Sequence, residues 1–242
     1  MKQPKNSAFR QWFLVKAVAS LAVACAVAGF SVHNANSSEP ETAPMLLFDN
    51  PYLESISPPA ELAYRFEHST ADEETYGKAF ADDVRIGLDP PEGEYTLNSV
   101  TLDIFSESRK RQIGPLSDVR GNPVIMVFLE RDVFQMKRRV QGSPVLFRNT
   151  IRKALRESAT VEDVDIEYAG RTVAAKRVTI LPFDGDRIPQ QFAEFRNKSY
   201  HFTVSEAVPG GFFEIVSQLP DPENQGKTLV SDRMVFTSKS DR

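Results

Sequence analysis

The sequence predicts a mainly β (α+β) protein, with a single curved antiparallel sheet or open half-barrel and a helical hairpin inserted midway as a cover. Most of the chain alternates apolar and polar residues with period two between clusters of turn-forming residues, which is typical of strands. Between residues 131 and 158 the period changes to that of a helix, after which strands resume. The 242 residues are 41% hydrophobic and 26% charged, which excludes a disordered chain and allows one β-rich domain.

Residues 1–35 have the features of a secretory signal peptide. Four cations precede the first acid, and the apolar run 17–32 is shorter than the roughly 20 residues that span a bilayer. We therefore expect cleavage, a periplasmic location in a Gram-negative bacterium, and no integral membrane segment afterwards. Cys25 is the only cysteine. Lipidation at Cys25 is disfavoured because only eight residues of the apolar run precede it.

The mature chain is expected to consist of a linker and lead-in, residues 36–58, followed by one domain, residues 59–242. Alternation predicts strands at 61–68, 82–88, 94–105, 109–115, 123–130 and 228–238, and hairpins at 163–183 and 196–220. The first hairpin turns at Ala169-Gly170. The second has Pro209-Gly210 at the centre of a type II turn, where Gly tolerates the positive φ.

The helical insertion at 131–158 divides into two helices. In the first, one stripe is formed by Leu129, Val133, Met136 and Val140. Gly142 suits its end, and Ser143 is expected to cap the second helix, with Pro144 at the first position. The apolar side of the second helix, which includes Phe147, Ile151 and Leu155, is expected to lie over the open sheet.

A row of arginines on that second helix is expected to face outward: Arg148, Arg152 and Arg156. The whole chain has a net charge of −4, yet residues 131–156 carry eight positive charges and one negative charge. Outside the cytosol, the anions that such a surface meets are lipid head groups, glycan acids or acidic proteins rather than nucleic acid. We predict contact with an anionic surface or partner. The alternative is a solvated face without a binding role.

The search for catalytic and metal-binding motifs assigns no residue. Only His68 and His201 remain after the signal peptide, and no nucleophile elbow, metal-ligand spacing or phosphate loop is present. We expect His68 to be a packed or rim residue, and we assign no cofactor. Large side chains on the strands and the second helix could instead line an apolar ligand cavity, with a filled core as the alternative. The candidate ligand-binding residues are Tyr64, Phe66, Phe147, Ile151, Tyr200 and Phe202.

The layout of export signal, strand order and helix placement resembles the periplasmic lipoprotein-carrier and outer-membrane acceptor proteins of Gram-negative bacteria. The segments "NPVIMVFLERDV" and "AVPGGFFEI" are also similar to uncharacterised proteobacterial envelope proteins. The resemblance implies an incomplete barrel with helices as a lid over an apolar cavity, but it transfers no individual site residue. We expect a periplasmic, non-enzymatic protein that binds an apolar or lipid-bearing ligand, such as a lipid or acylated protein, or an envelope partner. The alternatives are a structural adaptor without a pocket and an unrecognised hydrolase.

Overall fold

The computed structural model describes residues 41–91, 93–95, 97–117, 119–140, 142–185 and 189–242, so the predicted signal peptide lies outside the described residues. The strands are β1 (Ala60–Thr70), β2 (Phe80–Asp89), β3 (Ser99–Ile104), β4 (Arg111–Leu116), β5 (Thr160–Tyr168), β6 (Arg171–Ile180), β7 (Ser199–Val204), β8 (Phe212–Pro220) and β9 (Thr228–Asp241). The helices are the single turn α1 (Glu73–Tyr76), α2 (Val124–Val140) and α3 (Pro144–Glu157). A π-helical turn lies at Met45–Asp49, and 3-10 turns lie at Glu107–Arg109 and Gln190–Phe195.

The strands form one antiparallel sheet in the order β4-β3-β2-β1-β9-β8-β7-β6-β5, which is curved and does not close. The predicted fold class is therefore confirmed. The β5–β6 hairpin turns at Ala169 and Gly170, both with positive φ, as expected. The predicted type II turn is also present: the Gly211 amide donates to the Val208 carbonyl at 2.8 Å, with Gly210 at φ +76°.

The prediction of a strand at residues 123–130 is wrong, because α2 begins at Val124 and includes nearly all of that segment. The side chains from Val124 to Leu129 are all buried. In a short, continuous apolar run, the sequence periodicity cannot distinguish a buried strand from a helix that is buried on every side. The expected helical stripe is correct further along, where Leu129, Val133 and Met136 are at most 1% exposed.

Helix α2 packs against the sheet, where it contacts β8, whereas the sequence predicted that the apolar side of α3 would lie over the strands. Helix α3 packs against α2. Its buried Phe147 contacts three rings in the connection between β6 and β7: Phe183, Phe192 and Phe195. Ser143 occupies the N-cap position of α3, but its side chain makes no capping hydrogen bond.

The start of α2 is anchored to the middle of the sheet through Asn122. Its side-chain Nδ2 donates to the Tyr64 hydroxyl at 2.8 Å and to the Gly210 carbonyl at 2.7 Å. Its Oδ1 accepts from the Val124 amide at 3.0 Å, which caps the helix. Burial raises the pKa of Tyr64 above its ordinary range, so its hydroxyl stays protonated. The orientation of α2 above the strands is thus set at this end.

The expected linker and lead-in contributes to the core, with Leu46, Leu47, Leu53 and Ile56 buried. Across the ranges that the structure describes, every helix is too short or too polar to cross a membrane.

Candidate functional site

A row of polar side chains crosses the inner, helix-covered face of the sheet. In the strand register His68 is paired with Asp232, Asp232 with Ser217, and Ser217 with Tyr200. Residues directly opposite each other on neighbouring strands point to the same face. All four are at most 6% exposed, so polar groups replace apolar ones along one line of the core.

Helix α2 contributes two adjacent charged residues that pair with this row. Arg131 donates from Nη1 to Asp232 Oδ2 at 2.5 Å, and the ring nitrogen Nδ1 of His68 lies 2.6 Å from Asp232 Oδ1. Asp132 accepts from Lys198 Nζ at 2.9 Å and from the Tyr200 hydroxyl. Hydrogen bonds therefore join His68, Arg131 and Asp232 in one group and Asp132, Lys198 and Tyr200 in a second, and each carboxylate has two partners. We call the two groups together the polar network.

The network keeps Asp232 ionised although it is buried. Burial by itself raises the pKa of Asp232, but the hydrogen bond from His68 and the charges of Arg131 and Lys198 outweigh it and lower the pKa below its ordinary value. Burial, and then the negative charge of Asp132, raise the pKa of Tyr200 well above its ordinary value. Tyr200 therefore acts as a hydrogen-bond donor to Asp132 at all physiological pH values.

His68 has one ring nitrogen that the network does not satisfy. Because Asp232 is ionised and can only accept, Nδ1 of His68 carries the hydrogen of their bond. Nε2 is buried and has no hydrogen-bond partner within the described ranges. A histidine oriented in this way by an aspartate can serve as a general base when a nucleophile contacts Nε2. No such group is hydrogen-bonded to it among the residues that the structure describes.

A cleft of about 310 Å³ lies beside this network and the C-terminal half of α2. Its buried lining consists of His68, Asp132, Met136, Phe195, Lys198, Leu219, Val230 and Asp232. Its exposed or half-buried lining consists of Thr75, Tyr76, Gly77, Gln135, Arg138 and Arg139. The inner part therefore combines an apolar wall with paired charges, and the outer part carries two arginines.

Three segments meet at the outer part of the cleft through one carboxylate, Glu194. Its Oε1 accepts from the Tyr76 hydroxyl at 3.1 Å and from Arg139 Nε at 2.7 Å. The Arg139 guanidinium also lies 5.0 Å from the centre of the Tyr76 ring. Burial and the charge of Glu194 raise the pKa of Tyr76 to about 12. These contacts tie α1, the end of α2 and the β6–β7 connection together.

The six candidate ligand-binding residues are all buried, and none of them lines this cleft. Tyr200 belongs to the polar network. Phe66 packs against Phe80, Phe105 and Phe128 under α2, and the Tyr64 ring contacts Phe236 edge-on. These six residues lie within a packed interior, and their contact with a ligand remains a prediction.

The expectation that all three arginines of α3 face outward is wrong for Arg148. This side chain is 7% exposed and forms a two-point ion pair with Glu130 of α2, with nitrogen–oxygen distances of 2.5 and 2.6 Å. Arg148 lies beside Phe147 at the edge of the apolar side of α3. The carboxylate of Glu130 stabilises it in this buried position. Arg152 is half-buried, and Arg156 is exposed.

The polar network was missed in the sequence, although one signal for it is visible there. The alternation of β9 puts Val230, Met234 and Phe236 on the inner face, and the same spacing puts Asp232 between them. A charged residue at an inward position is costly to bury unless it is paired, so it indicates a partner. Arg131, which pairs with Asp232, and the neighbouring Asp132 carry no comparable signal, because their segment is rich in charge.

No protein-family model matches the chain, and no curated protein matches it. Solved structures that are similar to parts of it include two envelope proteins. The lipoprotein LppX of Mycobacterium tuberculosis is 8% identical, with 73% of this chain and 84% of that chain covered and a TM-score of 0.29. A chain of the MucA/MucB complex of Pseudomonas aeruginosa is 11% identical, with 75% and 51% covered and a TM-score of 0.32. At these values the similarity to envelope proteins is weak, and the proposals below rest on the residues of this chain.

Proposed function

We propose that this protein is exported to the periplasm and binds, without catalysing a reaction, a ligand that carries an apolar or lipid-like part. The observation that supports this function is the cleft beside the C-terminal half of α2. Its volume of about 310 Å³ is at the lower end of the range of small-molecule sites. Met136, Phe195 and Leu219 supply an apolar wall, while paired charges lie at the same inner end.

The alternative of a hydrolase has one observation in its favour, the hydrogen bond between His68 and Asp232. Acid–base catalysis would require Nε2 of His68 to reach a nucleophile or water, and this atom is buried. We therefore assign the pair to the packing of β1 against β9. Because His68 also lines the cleft, the test uses a His68→Asn variant that keeps both its melting temperature and its co-purifying ligand. Such a variant should keep its biological function, and loss of function in it would favour the hydrolase.

The six buried residues predicted from the sequence enter this proposal as a second part of the ligand site. Phe147 and Ile151 lie on α3, which packs mainly on α2 rather than on the strands. A shift of α3 away from the β6–β7 connection would expose them without breaking the sheet. A long apolar chain could then extend from the cleft into the interior.

Native mass spectrometry of protein purified from an envelope fraction tests the proposal. We expect a co-purifying lipid or acylated peptide in the wild type. Thr75→Trp should reduce its amount, because the large ring fills the outer cleft from a half-buried position. Thr160→Trp is the matched control, since Thr160 is exposed at the start of β5 and does not line the cleft. Equal amounts of ligand in both variants would exclude the cleft as the site.

A preparation that contains a stable protein partner and no ligand would support the structural adaptor instead. The export part of the proposal is tested separately by N-terminal sequencing of the protein from cells. We expect the mature chain to begin between about residues 29 and 39, with no attached lipid. An intact Met1 in the cytoplasmic fraction would overturn the proposed location and the functions that depend on it.

A further inference from the structure

We infer that the ligand of the cleft is an anionic amphiphile, whose phosphate or carboxylate group binds Arg138 and Arg139 and whose apolar part lies against the inner wall. This inference rests on the proposed function and specifies the chemistry of its ligand. Its basis is the positive charge balance of the cleft, the available arginine donors at its outer part and the apolar wall at its inner end.

The charge balance of the cleft and its network is positive among the described residues. The cations are Arg131, Arg138, Arg139 and Lys198, and the carboxylates are Asp132, Glu194 and Asp232. Each buried carboxylate is neutralised by its own partners, so the acids at the inner end do not repel an incoming anion. The surplus charge belongs to Arg138.

Both outer arginines have donors that the fold leaves available. Among the described residues, the Arg138 guanidinium donates to the side-chain oxygen of Gln135 on its own helix, and no carboxylate of those residues lies within 4 Å of it. Arg139 bonds Glu194 through Nε and also interacts with Tyr76, which leaves part of its five N–H donors available. The planar fork of an arginine matches the oxygens of a carboxylate or phosphate, and charged hydrogen bonds of this kind are the strong ones.

Cations near the C-terminus of a helix are also favoured by the helix dipole, without any ligand. Lys137 distinguishes the two explanations. It lies in the same last turn of α2 and is exposed, but it does not line the cleft. The helix dipole would favour a cation equally at Lys137 and at Arg138, whereas the binding of an anion in the cleft would require Arg138 but not Lys137.

The inner wall determines that the anion is part of a larger apolar molecule. Met136, Phe195, Leu219 and Val230 line the cleft and are at most 7% exposed. A free inorganic anion would leave this apolar surface in contact with water. An acyl or similar chain would cover it, at a gain of about 25 cal/mol for each Å² removed from water.

The test measures binding by isothermal titration calorimetry with oleate, oleoyl lysophosphatidic acid, neutral monoolein and inorganic phosphate, each amphiphile below its critical micelle concentration. The protein is purified from the envelope fraction and stripped of bound lipid. We expect both anionic amphiphiles to bind at least about tenfold more tightly than monoolein, as one charged hydrogen bond implies. Comparing the carboxylate with the phosphate identifies the source of the anion.

The variants Arg138→Gln and Lys137→Gln separate the site from general charge. Arg138→Gln should weaken the anionic amphiphiles to about the level of monoolein, while Lys137→Gln should leave them nearly unchanged. Equal binding of the charged and neutral amphiphiles, or equal loss in both variants, would overturn this inference but leave the proposed function standing. Phosphate bound as tightly as the amphiphiles would overturn the apolar part. Failure of all three amphiphiles to bind would overturn both the inference and the lipid-like ligand of the proposed function.

Discussion

The ion pair between Arg148 and Glu130 is predicted to control the attachment of α3 to α2. Arg148 donates from Nε and Nη2 to the two oxygens of Glu130, and the side chains are 7% and 14% exposed. The Glu130→Gln substitution keeps the volume and removes the negative charge. Arg148 cannot respond by losing its proton, because a guanidinium stays charged in proteins.

The expected cost follows from the charge that is left behind. Removing one member of a buried ion pair destabilises a protein by about 3–5 kcal/mol, since the other charge remains without compensation. The opposite substitution, Arg148→Met, should cost less, about 1–3 kcal/mol. Glu130 would then keep the favourable electrostatic interaction that it has with Arg152. The double variant should be more stable than Glu130→Gln alone, because it leaves no unpaired arginine at this position.

Urea denaturation followed by circular dichroism measures these differences. At a slope of about 2–3 kcal/mol per molar urea, Glu130→Gln should lower the midpoint by about 1–2 M. Lys153→Gln is the control, because Lys153 forms an exposed ion pair with Glu157 at 3.8 Å, and exposed pairs contribute about 0–1 kcal/mol. A Glu130→Gln midpoint that matches the control, or a larger loss for Arg148→Met than for Glu130→Gln, would refute this reasoning.

Three further predictions concern separate parts of the chain. Burial and then the charge of Arg177 lower the pKa of His201 in the folded protein. As the pH drops below about 6.5, the unfolded chain therefore takes up the proton more readily than the folded protein, and stability falls. The His201→Gln variant should show a flatter dependence of melting temperature on pH in this range. Gly211→Ala should destabilise far more than Gly170→Ala in thermal melts, because both have positive φ but only at Gly211 would the new methyl group meet an aromatic ring, at 2.3 Å. The doubly substituted Arg152→Gln, Arg156→Gln protein should bind anionic vesicles more weakly than the parent at low salt; equal binding would leave this surface a solvated face.

The elements with a clear period were predictable from the sequence, and the buried segment without one was not. The alternation around Tyr64 and Phe66 identified β1, and the turn residue Gly210 identified the β7–β8 hairpin, because each local preference agrees with the final structure. The segment 123–130 is apolar at nearly every position, so periodicity could not distinguish a strand from the first half of α2. The contribution of the first half of α2 to the cover of the sheet was therefore missed.

The candidate site was less predictable because its residues come together only through the strand order. His68 and Asp232 are 164 positions apart and meet because β1 pairs with β9. Lys198 reaches Asp132 across a separation of 66 positions. Tyr200 was singled out from the sequence for its ring, whereas in the structure its hydroxyl bonds Asp132. No local pattern contains these pairings, so the sequence could indicate polar inward positions but not their partners.

The two adjacent charges of α2 also connect the buried network with the outer cleft. Arg131 pairs with Asp232 on β9, whereas Asp132 pairs with Lys198 just before β7. A rotation of α2 by about 100° that brought Arg131 to the position of Asp132 would place it against Lys198, with two like charges buried together and Asp232 left without its arginine. We expect these two pairings to specify one rotational position of the helix, as buried polar groups do in some other proteins. Because Arg138 lies two turns further along the same rigid helix, the position of the proposed anion site is set by charges that no ligand needs to touch.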